Sequence, residues 1–325
     1  MNLTEKIRKN AGSKLQNIVL PETNDVRVLQ AAEILQKEKL VIPILLGDPA
    51  VISKLAEENN ISLDSVEIID PQKSEHTVQY ANDYYELRKH KGMTQEQAQD
   101  IVKTPLFFAA FMLKNNMAVG AVAGSDSPTA DVMRAAIQVV GVAPGIKAVS
   151  SSFVMVFQDG RELTFGDCAV IPNPDQDQLT SIAISSAKTH ERLVGKTANV
   201  AMLSFSTKGS AIHEDVEKVV AATEQVKQLA PELNVDGELQ FDAALMKSIG
   251  SKKAPGSSVA GKANVFIFPD LDSGNIGYKI AQRLANAEAV GPVVQGLAKP
   301  YNDLSRGCSV DDIVGNSAIA SLMAK

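Results

Sequence analysis

Ser305, Arg306 and Asp312 share one short stretch near the C-terminus, KPYNDLSRGCSVDDIVG, and their types suit a reaction that gathers negative charge. The Arg306 guanidinium offers a planar, permanently charged donor fork for phosphate or a developing oxyanion, and Ser305 adds a neutral hydroxyl. Asp312 can act as a general base. Ser309 to Asp312 also form an S-x-x-D pattern in which Asp312 simply closes a variant capping box, and spacing leaves the two readings open.

Three further segments carry polar donors. In GSDSPTADVMRAAIQVV, Ser125, Ser127 and Thr129 precede a helix, with Ser127 expected as N-cap and Pro128 as the first helical residue. Free backbone N–H groups there could hold an anion, with Arg134 further along, or the serines could merely cap the helix. Ser206, Thr207, Lys208, Gly209 and Ser210 form a turn suited to a phosphate or a polar cofactor arm, although it is not a Walker sequence. In DLDSGNIGYKIAQRLA, Gly274 and Gly277 allow close backbone approach and Asn275 offers a side-chain amide, or the segment is an ordinary structural turn. His76, His90, His190 and His213 show no metal-ligand spacing, and His213 to Asp215 fits a charged helix start. Cys168 and Cys308 lack CxxC spacing and a neighbouring histidine, so buried small hydrophobes are the simpler reading.

These segments need a scaffold that brings them together. NIVLPE reads as a strand, Val26 to Glu38 as a helix and Val41 to Gly47 as a strand, which is βαβ grammar. AVSSSFVMVF, ANVAMLSFS and ANVFIFPD read as buried strands, so a second α/β unit begins near Val149. With mainly parallel strands, ligands gather beyond strand carboxyl ends, where loops enter helices. The 325 residues suggest two domains at roughly 150 residues each. Lys252 to Asn264 has the composition of an exposed loop within the second.

Composition narrows the function classes. A hydrophobic fraction of 45% beside 22% charged residues is ordinary for a soluble globular chain. A net charge of −6 without a basic run argues against nucleic acid and against an anionic membrane surface. The apolar runs Phe107 to Leu113 and Val265 to Phe268 are too short to span a bilayer. The N-terminus carries no export pattern and the cysteines suit a reducing compartment, so a cytoplasmic location is expected.

Taken in order, LPET with Arg27, YYELRKHKGMT, GSDSPTADVMRAAIQVVG, FGDCAVIPNPD, DGELQFDAAL, PDLDSGNIGYK and KPYNDLSRGCSVDDIV closely resemble phosphate acetyltransferases along nearly the whole chain. The length matches the short form without N-terminal regulatory domains. The resemblance implies two α/β domains with the active site in the cleft between them, an architecture similar to isocitrate and isopropylmalate dehydrogenases, and a homodimer. Domain one would comprise residues 1–147 plus 297–325, and domain two residues 148–296. It also implies reversible acetyl transfer between coenzyme A and phosphate, with coenzyme A, acetyl phosphate and phosphate as substrates and no metal or tightly bound cofactor. By that resemblance Asp312 takes the thiol proton, and Arg306 and Ser305 stabilise and orient the reacting groups. Arg88 and Arg134 match arginines associated with substrate and cofactor, and Cys168 and Cys308 neighbour the site. A phosphate butyryltransferase and a non-catalytic acyl-CoA sensing module are the competing expectations. A decarboxylating dehydrogenase is disfavoured because no metal carboxylate cluster or dinucleotide fingerprint stands out.

Overall fold

A computed structural model describes residues 2–324. The helices are α1 (Leu3–Gly12), α2 (Val26–Lys37), α3 (Pro49–Glu58), α4 (Thr77–Arg88), α5 (Gln95–Val102), α6 (Pro105–Lys114), α7 (Thr129–Ala135), α8 (Gln176–Val194), α9 (Glu214–Leu229), α10 (Phe241–Leu245), α11 (Lys247–Lys253), α12 (Leu271–Leu284) and α13 (Val310–Met323). The strands are β1 (Asn17–Leu20), β2 (Ile42–Leu46), β3 (Glu67–Ile69), β4 (Gly120–Ala123), β5 (Ser150–Val156), β6 (Glu162–Gly166), β7 (Asn199–Leu203), β8 (Asn234–Leu239), β9 (Val265–Ile267), β10 (Glu288–Gln295) and β11 (Tyr301–Asp303). They divide between two compact units, Met1–Gly141 with Leu297–Lys325, and Val142–Gly296.

The first unit is a parallel five-stranded sheet in the order β11-β4-β1-β2-β3. Strand side chains alternate between faces, and the sequence is apolar at both parities, so helices cover both sides. Val19, Ile44, Leu46, Ala121 and Ala123 pack with α4, α5, α6 and α7. Ile18, Leu20, Leu45 and Val122 pack with α2, α3 and α13. Phe107 to Leu113 form most of α6, which is buried in the first of these layers. The chain returns from the second unit to add β11 beside β4, with Asp303 in register with Ala123. The carboxyl ends of β1, β4 and β11 therefore lie side by side, leading to Glu22, Ser125 and Ser305.

The second unit departs from the mainly parallel expectation. Its sheet, β10-β5-β6-β9-β7-β8, is parallel from β6 to β8, but β5 runs antiparallel to both β6 and β10. An Asp159-Gly160 turn joins β5 to β6, with Gly160 at φ 83°, a left-handed turn position where glycine carries no Cβ penalty. Pro292 interrupts β10 at a register shift, which the sheet tolerates because β10 is an edge strand. One layer gathers Phe153, Phe165 and Phe266 with Tyr278 of α12, and the other packs Val200, Met202 and Ile267 against α8 and α9.

Candidate active site

At the end of β4 the backbone turns at Gly124, whose φ of 101° is left-handed and whose α-carbon faces Leu304 and the Asp303 carboxylate too closely for any Cβ. The following loop does hold an anion, but the anion is the chain's own Glu22. Its Oε2 accepts from Ser125 N at 2.8 Å, Ser125 Oγ at 2.9 Å and Asp126 N at 3.3 Å, while Oε1 accepts from Ser127 N at 2.8 Å. Ser125 is buried by this contact. The helix begins one residue later than the sequence suggests: Pro128 is the N-cap, without a side-chain cap, and Thr129 is the first helical residue. The reason lies in the same contact, since the Ser127 N–H is directed to Glu22 and its hydroxyl makes no capping bond. Thr129 Oγ1 donates to Asp303 Oδ2 at 2.7 Å across the loop.

Arg27 organises the neighbouring loop between β11 and α13. Its Nε and Nη2 donate to the Asp25 carboxylate, Nη2 to Ser125 O at 3.1 Å, and Nη1 to Arg306 O at 3.0 Å and Cys308 O at 2.6 Å. The guanidinium fork is thus consumed by its own chain, as a planar five-donor group allows. Burial pushes the Asp25 acid up, but its bonds and charge contact with Arg27 outweigh that and hold it below the usual carboxylate range. With the backbone tied, the Ser305 and Arg306 side chains remain exposed on the loop. Asp312 is also exposed; its Oδ2 accepts from Ser309 N and Oγ, both at 2.8 Å, and its own N–H donates to Ser309 Oγ, a complete capping box. Oδ1 has no hydrogen-bond partner among the described residues. Cys308 is buried beside this loop, and burial raises its thiol above the ordinary value, with Arg27 opposing the rise.

The charges of Arg88 and Arg134 are both felt at Tyr84. Burial raises the Tyr84 phenol, and the two arginine charges act against that rise. Tyr84 Oη donates to Gln138 Oε1 at 2.6 Å. Arg134 pairs with Asp131 at 2.7 Å on an exposed face, whereas Arg88 Nε is buried without a hydrogen-bond partner among the described residues. One arginine of this pair therefore retains donor capacity that the fold leaves unused.

The polar loops of the second unit are spent on its own structure. Ser206 is fully buried and donates to Glu238 Oε1 at 2.8 Å, Thr207 exchanges hydrogen bonds with Gln240, and Lys208 pairs with Asp236 and donates to Gly237 O. The close approach that Gly274 permits is to the Asp167 backbone oxygen, and Asn275 Nδ2 donates to Cys168 O at 3.0 Å. Cys168 is fully buried and its thiol is raised well above the ordinary range, first by burial and then by Asp167. His213 caps α9 by accepting from Asp215 N at 3.2 Å. Buried His190 is lowered to about 4, first by burial and then by the Lys196 charge, and bonds Thr164 Oγ1 at 2.9 Å. Among the described residues no group of three or more His, Cys, Asp or Glu is placed to hold a metal ion. No helix among them is long and apolar enough to cross a membrane.

A family model described as phosphate acetyl/butaryl transferase matches residues 2–321. The chain belongs to that family. A phosphate acetyltransferase of Acetivibrio thermocellus is 51% identical over 330 aligned positions, covering 100% of this chain and 99% of that protein. One of Thermoanaerobacterium thermosaccharolyticum is 50% identical, covering 100% of both. Among solved structures, a phosphotransacetylase from Streptococcus pyogenes superimposes with a TM-score of 0.95 at 41% identity, covering 99% of this chain and 98% of that one. A branched-chain phosphotransacylase from Enterococcus faecalis shares the fold at 16% identity, TM-score 0.69, covering 96% and 100%.

Within this phosphate acetyl/butaryl transferase framework, sequence reasoning singled out Ser305, Arg306 and Asp312 but gave no role to Glu22, Asp25 or Asp303. Arg27 entered only as part of a resembling motif. The usable signal for Glu22 was its place just past a strand: a carboxylate at that end of a parallel sheet lies among loop N–H groups.

Proposed function

We propose that the chain catalyses the reversible transfer of an acetyl group between coenzyme A and inorganic phosphate, acetyl-CoA plus phosphate giving acetyl phosphate plus coenzyme A. The observation that carries this reading is the full-length identity of about half to proteins named phosphate acetyltransferase. The exposed Ser305 and Arg306 side chains on a loop clamped by Arg27 are chemically suited to it. A butyryl-specific activity draws less support, because the structural relative named a branched-chain phosphotransacylase is only 16% identical.

In this reading Asp312 takes the thiol proton of coenzyme A, and the thiolate attacks the acetyl phosphate carbonyl while phosphate departs with the bonding electrons. Asp312 Oδ1, unclaimed by the capping box, is the oxygen assigned to that proton. Arg306 neutralises the phosphate and the carbonyl oxygen as charge develops, and Ser305 orients the reacting group. Arg88 and Arg134 are the arginines assigned to substrate phosphates, Arg134 by exchanging its exposed Asp131 partner for the substrate. Ser125, Ser127, Thr129, Ser206, Thr207, Lys208, Gly274 and Asn275 are better supported as structural than as substrate-contacting groups, because each is engaged within its own unit. No protein nucleophile is required, and buried Cys168 and Cys308 take no covalent part. The same reading places the enzyme in the cytoplasm as a homodimer, which light scattering would register as twice the chain mass.

Purified protein mixed with coenzyme A and acetyl, propionyl or butyryl phosphate, followed by thioester absorbance, tests the assignment. Acetyl transfer should be fastest, and Asp312→Asn should lower turnover roughly 100-fold or more with helical content kept. Wild-type turnover in that variant would return Asp312 to capping alone, and a butyryl preference would overturn the acetyl assignment.

A further inference from the structure

Asp303 ends β11 just before Ser305 and Arg306, and its register partner Ala123 places it where β4 gives way to the Gly124 turn. Oδ2 accepts from Thr129 in the first turn of α7 at 2.7 Å. Oδ1 is shut away from solvent with no hydrogen-bond partner among the described residues. Gly124, lacking a side chain, is what makes room for it.

This is a costly way to fill space. Burial raises the Asp303 acid, the Thr129 bond lowers it, the Glu22 charge raises it and Arg306 lowers it, leaving it at about 6. A polar oxygen buried without a partner is destabilising, and an apolar or amide side chain would avoid the charge penalty. Local costs of this kind are retained where geometry matters more than stability. What the carboxyl achieves here is a direct side-chain link between the loop leading into α7, which carries Arg134, and the loop carrying Ser305 and Arg306.

We propose that Asp303 is a positioning residue for acyl transfer, fixing through Thr129 the spacing between the start of α7 and the Ser305–Arg306 loop. This rests on the acetyltransferase reading and on the substrate roles given there to Arg134 and Arg306. Thr129 is then a tether, not a donor to substrate.

The test compares full-length wild type, Asp303→Ala, Thr129→Val, the double variant and Asp303→Asn, with kcat and KM measured for phosphate and for acetyl-CoA. Asp303→Ala and Thr129→Val should each lower kcat/KM for phosphate by roughly 10- to 100-fold, the range expected when reacting groups are misplaced by a fraction of an ångström to an ångström. The double variant should be no worse than the worse single one, because both remove the same link. Asp303→Asn still offers Thr129 an acceptor and should keep activity within about threefold of wild type. Folded single variants with wild-type kinetics, losses that multiply in the double variant, or an Asp303→Asn as impaired as Asp303→Ala would each overturn the tether. If Asp303→Ala does not fold, Thr129→Val decides alone. Absence of transfer by wild type defeats the acetyltransferase reading and this inference with it, whereas active wild type with unaffected variants defeats this inference only.

Discussion

Glu22 in the first unit and Asp167 in the second are built alike. Each is a buried carboxylate just past a strand end that takes a serine N–H and hydroxyl plus two further backbone N–H groups: Ser125, Asp126 and Ser127 for Glu22, and Ser151, Ala169 and Ile171 for Asp167. Their surroundings differ. The loop held by Glu22 is joined through Arg27 to the backbone of Arg306 and Cys308, with exposed charged side chains beyond. Beside Asp167 lie a fully buried thiol and the tight packing of Gly274. One anion-cradling turn can organise a charged loop or seal a core, and its neighbours decide which.

The comparison is broken or sharpened first by removing each carboxylate. Glu22→Ala should reduce acetyl transfer by roughly 100-fold in the folded protein, since the Ser125–Ser127 loop loses its anchor and, through the Arg27 bond to Ser125 O, the neighbouring loop loses a support. Asp167→Ala should instead cost about 3 kcal/mol of stability, from several buried donors left unpaired, with specific activity of the folded fraction largely kept. Equal activity losses per folded molecule would erase the contrast.

A smaller effect separates the units by pH. Asp303, raised from 3.8 to about 6, binds its proton better when folded, so its contribution to stability is full below pH 3.8 and is lost as pH rises through 6. His190, lowered from 6.5 to about 4, does the reverse: its contribution is full above pH 6.5 and is lost as pH falls through 4. Denaturation midpoints across pH 4 to 7 should therefore show wild type gaining on Asp303→Asn toward acid and losing ground to His190→Gln over the same interval. Parallel curves for all three proteins would contradict both assignments.

The mildest probe is a thiol reagent. Cys308 should react slowly in the native protein, being 7% exposed beside the Arg27 fork, while Cys168 at 0% should react only on unfolding. Mass spectrometry of the labelled peptides gives the order, and labelling of Cys168 first would show that the core around Asp167 opens more readily than the Arg27-held loop.

Much of the scaffold was legible in the chain. Val26 to Lys37 and the strands on either side follow local periodicity, whereas Phe107 to Leu113, read only as too short to span a bilayer, form a buried helix that a seven-residue apolar run does not by itself distinguish from a strand. The β5–β6 hairpin escaped the parallel reading because β5 is apolar enough to pass for a fully buried parallel strand, although Asp159-Gly160 marks its turn. At the candidate site, Arg306 and Asp312 stood out by type and spacing. Arg27 did not, because the partners through which it ties the loops together lie 98 and 279 positions away and are backbone carbonyls, which leave no mark on residue type. The same limit hid the fate of Ser125 and Ser206: sequence showed donors, and only folding showed Glu22 and Glu238 already waiting as acceptors.

The return of β11 to the edge of β4 also sets a timetable for the ribosome. Val142–Gly296 emerges as one continuous stretch, with every strand of its own sheet available before Leu297 leaves the tunnel. The first unit, although begun earlier, lacks β11 and the α13 layer over Ile18 and Leu20 until the stretch after Leu297 is made. The order of completion during synthesis is therefore the reverse of the order of appearance, and the earlier-made sheet must wait, with apolar surface uncovered, while the later one closes.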